Sequence, residues 1–230
     1  MADRGAQGFD TRRFLLIPGS VVCAALIVLL ASAGPAQAPA GPSAGNPLGR
    51  ESASLPPAPT PEAHRLAESA MAQVGVTTSY ESAYVHLDYP GGDVPLETGV
   101  CTDVVVRAFR GIGIDLQYGV HEDMTAHLAE YPQPFGPAPP DSNIDHRRVN
   151  NLQTYFTRRG TSLQTGINGA DYRPGDVVTW TVAGYPHIGI VSDKPALAGG
   201  HYQVVHNIGS GACIEDVLFR MEITGHYRWR

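Results

Sequence analysis

Apolar residues recur at helical spacing in the first half of the chain beyond residue 60. Thr60-Pro61-Glu62 supplies an N-cap, a proline at the first helical position and an acid in the first turn, and Gly75 ends the apolar pattern. We therefore predict a helix that begins at Pro61 and stops before Gly75. Similar spacing predicts three further helices, over Thr102–Arg110, Val120–Glu130 and Leu152–Arg158.

The pattern changes after the turn sequence Arg173-Pro174-Gly175-Asp176. Short β-branched and apolar runs, separated by glycine-rich or proline-containing turns, predict strands from there to the C-terminus. The predicted strands are Val177–Val182, His187–Ser192, Tyr202–Asn207 and Ile223–Arg228. Helices followed by strands are typical of an α+β fold, so we expect helices packed on a mostly antiparallel sheet.

The N-terminal segment has the order of a secretory signal. Arg12 and Arg13 precede an apolar run from Phe14 to Leu30, and Ala36-Gln37-Ala38 fits a small-residue cleavage site. We predict a signal peptide over 1–38, a Pro/Ala-rich disordered linker over 39–60 and a folded domain over 61–230. The alternative is a retained N-terminal anchor, which would attach the chain to a membrane through this segment alone. Both alternatives place the domain in the periplasm or cell envelope.

Composition narrows the class of partner. The 230 residues are 43% hydrophobic and 17% charged, with a formal net charge of −6. A nucleic-acid-binding protein usually presents a basic face, so we expect no nucleic-acid partner. We also predict no cofactor.

The chemistry centres on a cysteine and a histidine. Cys101 falls at the start of a predicted helix, whose N-terminal partial charge favours the reactive thiolate. His187 opens a predicted strand and is the candidate base, while His206 on the next strand would orient its imidazole. Asn207 points the other way, so we prefer His206 to Asn207. The alternative is structural, because Cys101 and Cys213 would often form a disulfide in an oxidising compartment.

Three other polar residues are candidates for substrate binding. Asp103 either caps the helix of Cys101 or touches the substrate, and capping is the safer interpretation. Arg147 and Arg148 could bind a carboxylate through bidentate hydrogen bonds, or pair with Asp145 or solvent. We predict no metal site. A metal-dependent hydrolase that uses two histidines and an acid is the weaker alternative, since zinc ligands usually include one closely spaced pair.

Linked motifs give the chain a family resemblance. The chain resembles the exported bacterial family known as domain of unknown function 1287, from about Leu66 to Arg228. The motifs are Gly99-Val100-Cys101-Thr102-Asp103-Val104-Val105, Asp145-His146-Arg147-Arg148-Val149, Arg173-Pro174-Gly175-Asp176-Val177-Val178, Pro186-His187-Ile188-Gly189-Ile190-Val191-Ser192, Val205-His206-Asn207-Ile208-Gly209 and Ile223-Thr224-Gly225-His226-Tyr227.

A more distant resemblance suggests a reaction. A cysteine at a helix start, a Gly-Asp turn and a His-Ile-Gly-Ile strand are similar to the NlpC and CHAP groups of papain-type hydrolases, which cut amide bonds in cell-wall peptides. The resemblance implies a papain-like fold with Cys101 as nucleophile, His187 as base and His206 as third residue. Val100 before the cysteine and Thr102-Asp103 after it depart from the usual Asp-Cys-Ser-Gly pattern.

Two functions therefore stand as expectations. The first is an exported cysteine amidase or endopeptidase that acts on peptidoglycan stem peptides through an acyl-thioenzyme. The second is a cell-wall-binding module that has the same fold and no catalysis.

Overall fold

The computed structural model describes residues 58–134, 136–197 and 199–229. The predicted signal peptide (1–38) and nearly all of the predicted linker (39–60) lie outside the described residues. Over the described ranges, no helix combines the length and apolar character needed to cross a membrane.

The helices form where caps and apolar faces coincide. They are α1 (Pro61–Met71), α2 (Cys101–Arg110), α3 (Leu116–His127) and α4 (Val149–Arg158). Thr60 caps α1, since its hydroxyl accepts a hydrogen bond from the N–H of Ala63 at 3.2 Å. Nearly every residue of α2 is buried, so this helix lies inside the domain and not on its surface.

The strands form one antiparallel sheet. They are β1 (Ser162–Leu163), β2 (Val177–Val182), β3 (Tyr185–Pro195), β4 (Tyr202–Asn207), β5 (Ala212–Glu215) and β6 (Glu222–Tyr227). Their order across the sheet is β1-β6-β2-β3-β4-β5, and neighbours pair antiparallel. The α+β class and the antiparallel sheet are confirmed.

Several predicted boundaries were wrong. The third helix begins earlier, at Leu116, because Asp115 caps it through the N–H of Gln117, and it ends at His127 before a 3₁₀ turn. The fourth begins at Val149, three residues before the predicted start at Leu152, and it follows Arg148. Strands β1 and β5 were missed, because runs so short carry little periodicity. The second, third and last helices and strands β3 and β6 also differ from prediction at their ends.

Both faces of the central strands are buried. On one face, the core between sheet and helices contains Val177, Ile188, Ile190 and Val205. On the other face, a smaller core is built around Trp180. Because both faces are buried, the sequences of β2 and β3 are nearly continuous apolar runs, without the alternation of apolar and polar residues typical of a half-exposed strand.

A buried carboxylate ties β2 to the last strand. Asp176 accepts hydrogen bonds from Nε and Nη2 of Arg228, each at 2.7 Å. It also contacts Nε2 of His226 at 2.7 Å and accepts from the backbone N–H of Arg173 at 2.8 Å. The side chain of Asp176 is only 1% exposed, so its charge depends on these partners.

We predict that Asp176→Asn lowers the free energy of unfolding by about 3 kcal/mol, because it leaves Arg228 beside a buried site without its counter-charge. Glu222→Gln is the matched control, since it removes one carboxylate from an exposed position of β6. Urea unfolding followed by circular dichroism measures both variants. Equal unfolding midpoints for the two would contradict this role of Asp176.

Candidate active site

Cys101 is the first residue of α2 and is 5% exposed. Its sulfur accepts from the backbone N–H of Ile188 on β3, and from N–H groups at the helix start that include that of Thr102. Burial raises the pKa of the thiol to about 12, and the charge of Asp103 adds to the rise, while the N–H groups act in the opposite direction. The thiol is therefore protonated at neutral pH in this structure.

A buried ion pair holds the start of α2. Asp103 accepts from the N–H of Val100 at 2.7 Å, which caps the helix as predicted. Arg147 donates from Nε and Nη2 to the same carboxylate at 2.9 and 3.0 Å, and both side chains are almost fully buried. The hydroxyl of Thr102 donates to the carbonyl of Arg147 at 3.1 Å. The polar atoms of Asp103 and Arg147 therefore stabilise the site's backbone.

Asn207 ties the segment before α2 to β4. Its Nδ2 donates to the carbonyl of Gly99 at 2.9 Å and to that of Ser79 at 3.2 Å. A Cβ atom on Gly99 would lie 3.2 Å from the Cβ of Asp103, so only glycine fits here without a shift. The side chain of Asn207 thus positions the cysteine's helix and does not contact the histidine pair.

Three side chains form a chain of contacts across β3, β4 and β5. Nε2 of His187 lies 2.9 Å from Nδ1 of His206, and Nε2 of His206 lies 3.1 Å from Oε2 of Glu215. The predicted contact between His187 and His206 is present. The carboxylate of Glu215 beyond them was not predicted.

The contact chain selects a tautomer when both rings are neutral. A carboxylate only accepts, so Nε2–H of His206 donates to Glu215 and Nδ1 of His206 is the acceptor. Nε2–H of His187 then donates to that Nδ1, which leaves Nδ1 of His187 with a lone pair. Burial, and secondly His206, lowers the pKa of His187 to about 3, so its ring is neutral at physiological pH.

Gly189 makes room for this pair. A Cβ atom at Gly189 would lie 2.7 Å from Cγ1 of Val204 and 3.1 Å from the Cβ of His206. Glycine at this position therefore leaves space on the face of His187.

The sulfur of Cys101 contacts β3 at the residue after His187, but the ring of His187 lies on the opposite face of that strand. The structure therefore does not bring the predicted nucleophile and base together. The ladder between β3 and β4 runs from Ile190–Val205 to Pro195–Tyr202, so the start of β3 pairs with β2 but has no ladder pair with β4. The sulfur of Cys101 contacts Ile188 there, next to His187. Side chains alternate along a strand, so the ring of His187 lies toward Trp180, at 6.0 Å between centroids. Among residues 58–134, 136–197 and 199–229, no hydrogen bond joins Cys101 to His187.

No disulfide joins Cys101 to Cys213. Cys213 lies on β5 opposite His206, and its thiol contacts the carbonyl of His206 at 3.7 Å. The disulfide alternative is therefore absent from this structure, because the two thiols occupy different places: one at the helix start, the other at the outer strand.

A cavity of about 380 Å³ opens at Cys101. A second cavity of about 640 Å³ adjoins it and shares Ile144, Arg148 and Asn151 with it. Arg148 is exposed and lines both cavities. Arg147 lines the smaller cavity, and its side chain is buried in the ion pair with Asp103. The smaller cavity is lined by Tyr80, Ser82, Val100, Cys101, Pro134, Ile144, Arg147, Arg148, Val149, Asn150, Asn151 and Pro186.

Tyr80 is a second residue that the sequence did not reveal. It lines the cavity at Cys101, although the residue as a whole is 41% exposed. Partial burial of the phenol, with added repulsion from Cys101 and Asp103, raises its pKa to about 12. The phenol is therefore protonated at neutral pH and can donate a hydrogen bond. Neither Tyr80 nor Glu215 belongs to a motif, and only the alternation of Cys213 and Glu215 around Ile214 hinted at β5.

The fold and site define a class: an α+β domain with a cysteine at a buried helix start and a His–His–Glu chain on the adjoining strands. The model of the family described as domain of unknown function (DUF1287) matches residues 67–229, and the chain belongs to that family. The chain is also 53% identical, over 165 residues, to the protein titled "Uncharacterized protein YijF" of Escherichia coli (strain K12). That match covers 71% of this chain and 80% of the relative.

Thiol chemistry tests the burial of Cys101. We predict that iodoacetamide at neutral pH alkylates Cys213 before Cys101, because a thiol with a raised pKa has a very small thiolate fraction. Alkylation of Cys101 should accelerate as pH rises toward 12. Peptide mapping of the native chain measures both sites, and urea-unfolded protein, in which both should react alike, is the control. Fastest modification at Cys101 would contradict a neutral, shielded thiol.

Proposed function

We propose that this chain is an exported cysteine hydrolase that cleaves amide bonds in peptidoglycan stem peptides. The observation that carries the proposal is the chain from Glu215 through His206 to His187, whose strand is contacted by the sulfur of Cys101 at the next residue, Ile188. The cavity at that cysteine supplies space for a peptide. The place of action, the periplasm or cell envelope, rests on the signal-like pattern of residues 1–38.

The proposed architecture is papain-like, of the NlpC and CHAP type. Its support is the order of elements: a helix that begins with the cysteine, a strand with the histidine, and a next strand with the polar partner. Asn207 and the Asp103–Arg147 pair hold the helix start against that part of the sheet.

The protonated thiol determines the mechanism we propose. His187 removes the proton through Nδ1 as the sulfur attacks the carbonyl carbon, so no standing thiolate–imidazolium pair is needed. The proton then passes to the leaving amine, the carbonyl collapses to a thioester, and water releases the acid. Among the described residues no hydrogen bond joins Cys101 to His187, and the ring of His187 faces Trp180 on the other side of β3. The mechanism therefore requires the start of β3 to turn this ring toward the sulfur when substrate binds.

The two adjoining cavities suit an extended acidic peptide. Arg148 borders both, and a guanidinium recognises carboxylates through parallel hydrogen bonds. Stem peptides carry free carboxylates, so we assign Arg148 to substrate binding. Arg147 and Asp103 act by holding the backbone of the site.

We predict that Cys101→Ala abolishes release of new amines from cell-wall fragments, a loss of at least about 1,000-fold. The reason is that alanine cannot form the thioester. Cys213→Ala is the matched control and should retain turnover. Mass spectrometry of soluble products measures both variants, with excess chelator present so that metal-dependent hydrolysis is tested in the same assay.

Activity that survives in Cys101→Ala would refute the mechanism. The second candidate, a cell-wall-binding module, is favoured by the buried, high-pKa thiol. It predicts that wild-type protein and Cys101→Ala sediment equally with cell walls and that neither releases product.

Tyr80 is our candidate for stabilising the oxyanion. Its phenol shares the cavity with Cys101, and backbone N–H groups at the start of α2 supply the other donors. Together they would surround the oxygen of the tetrahedral intermediate.

We predict that Tyr80→Phe lowers kcat by about 100-fold with little change in KM, because the lost hydrogen bond forms only with the oxyanion. Tyr84→Phe is the matched control, since the phenol of Tyr84 is exposed and bonds Asp141. Steady-state kinetics with one purified cell-wall fragment as substrate would measure kcat and KM for both variants. A rise in KM at unchanged kcat would show that Tyr80 binds substrate instead.

A further inference from the structure

The outer edge of the sheet carries a group of metal-ligand side chains that the proposed reaction does not use as a group. His206 on β4 pairs directly with Cys213 on β5, and Glu215 follows two positions along the same strand. The three side chains therefore project from one face of the β4–β5 pair. One donor atom from each lies within 4.8 Å of the other two.

The donor atoms of these three side chains already lie close to one another. Nε2 of His206 and Oε2 of Glu215 are already 3.1 Å apart. Around tetrahedral zinc, with Zn–S about 2.3 Å and Zn–N about 2.0–2.1 Å, donor atoms lie about 3.3–3.7 Å from each other. A pair at the outer limit of 4.8 Å would close by about 1 Å to share one centre.

The donor set selects the type of ion. Thiolate and imidazole are ligands of zinc and neighbouring transition metals, whereas magnesium and calcium favour oxygen. The ring of His206 is buried and fixed by His187 through its other nitrogen, which is the usual second contact of a metal-binding histidine. Cys213 and Glu215 are partly exposed, which leaves a path for the ion and for a water as fourth ligand.

We propose that His206, Cys213 and Glu215 form a zinc-binding site at this edge of the sheet. Zinc binding releases the thiol proton of Cys213 to solvent, and the ion takes the place of the single ring proton on Nε2 of His206. Neutral His206 then carries its ring proton on Nδ1, which it receives from Nε2 of His187, and His187 takes a proton from solvent at Nδ1, so both rings stay neutral.

One consequence rests on the proposed function. With Nδ1–H of His206 as donor, Nε2 of His187 becomes the acceptor and its own proton lies on Nδ1, the nitrogen assigned to Cys101. Zinc at this site would therefore inhibit the hydrolase. Binding of the metal itself does not depend on any activity.

The test titrates zinc into the reduced full-length chain, with a chromophoric chelator as competitor. We expect one zinc per chain at this site. Loss of a direct ligand should weaken binding at least as much as loss of an outer partner, about 10- to 100-fold, in Cys213→Ser and Glu215→Gln. Cys101→Ser and His201→Ala are the controls, because each removes a potential metal ligand that lies outside the group, and both should bind as wild type does.

A second readout identifies the thiolate. Co²⁺ in place of zinc should give a thiolate-to-cobalt charge-transfer band in wild type and Cys101→Ser that is missing in Cys213→Ser. Absence of that band in the folded wild-type protein would overturn the site, whatever the stability of the variants. Equal zinc affinity in wild type and Cys213→Ser would overturn it as well.

Activity separates the two proposals. Zinc that binds and inhibits wild type, but not Cys213→Ser, supports both the site and its consequence. Zinc that binds to a chain without turnover supports the site and counts against the proposed function.

Discussion

The start of α2 is fixed by buried polar contacts from three separate parts of the chain. Asp103 caps the helix from within, Arg147 neutralises that carboxylate, and Asn207 holds the carbonyl of Gly99. A buried charge without a partner costs several kcal/mol, so each contact requires the others. The position of Cys101 against β3 depends on these three contacts, and the pKa of its thiol depends on that position.

The burial that fixes the position of Cys101 also limits the reactivity of its thiol. Desolvation keeps the thiol of Cys101 protonated and the ring of His187 neutral. A helix start and a neighbouring imidazole are therefore insufficient for a standing thiolate here. The ring of His187 lies on the face of β3 opposite the core that contains Cys101, while the edge pair of Cys213 and Glu215 is more open to solvent.

Local patterns predicted much of the fold. The strands Val177–Val182 and Tyr202–Asn207 and the cap at Thr60 were read from periodicity and turn chemistry, because these signals lie within a few residues. The contact of His187 with His206 followed from strand alternation. β5 was missed because a strand of four residues after a glycine-rich turn is stabilised by pairing with β4, and pairing across the sheet leaves little trace in composition.

The sequence by itself determined the α+β order of elements, the family, and the cysteine and histidines worth testing. Only the tertiary structure decided their surroundings. It joined Glu215 to His206, placed Tyr80 in the cavity of Cys101 and paired Arg147 with Asp103. The physical reason is that protonation and ligand geometry depend on desolvation and on partners that lie far apart in the chain, and these exist only after the helices pack on the sheet.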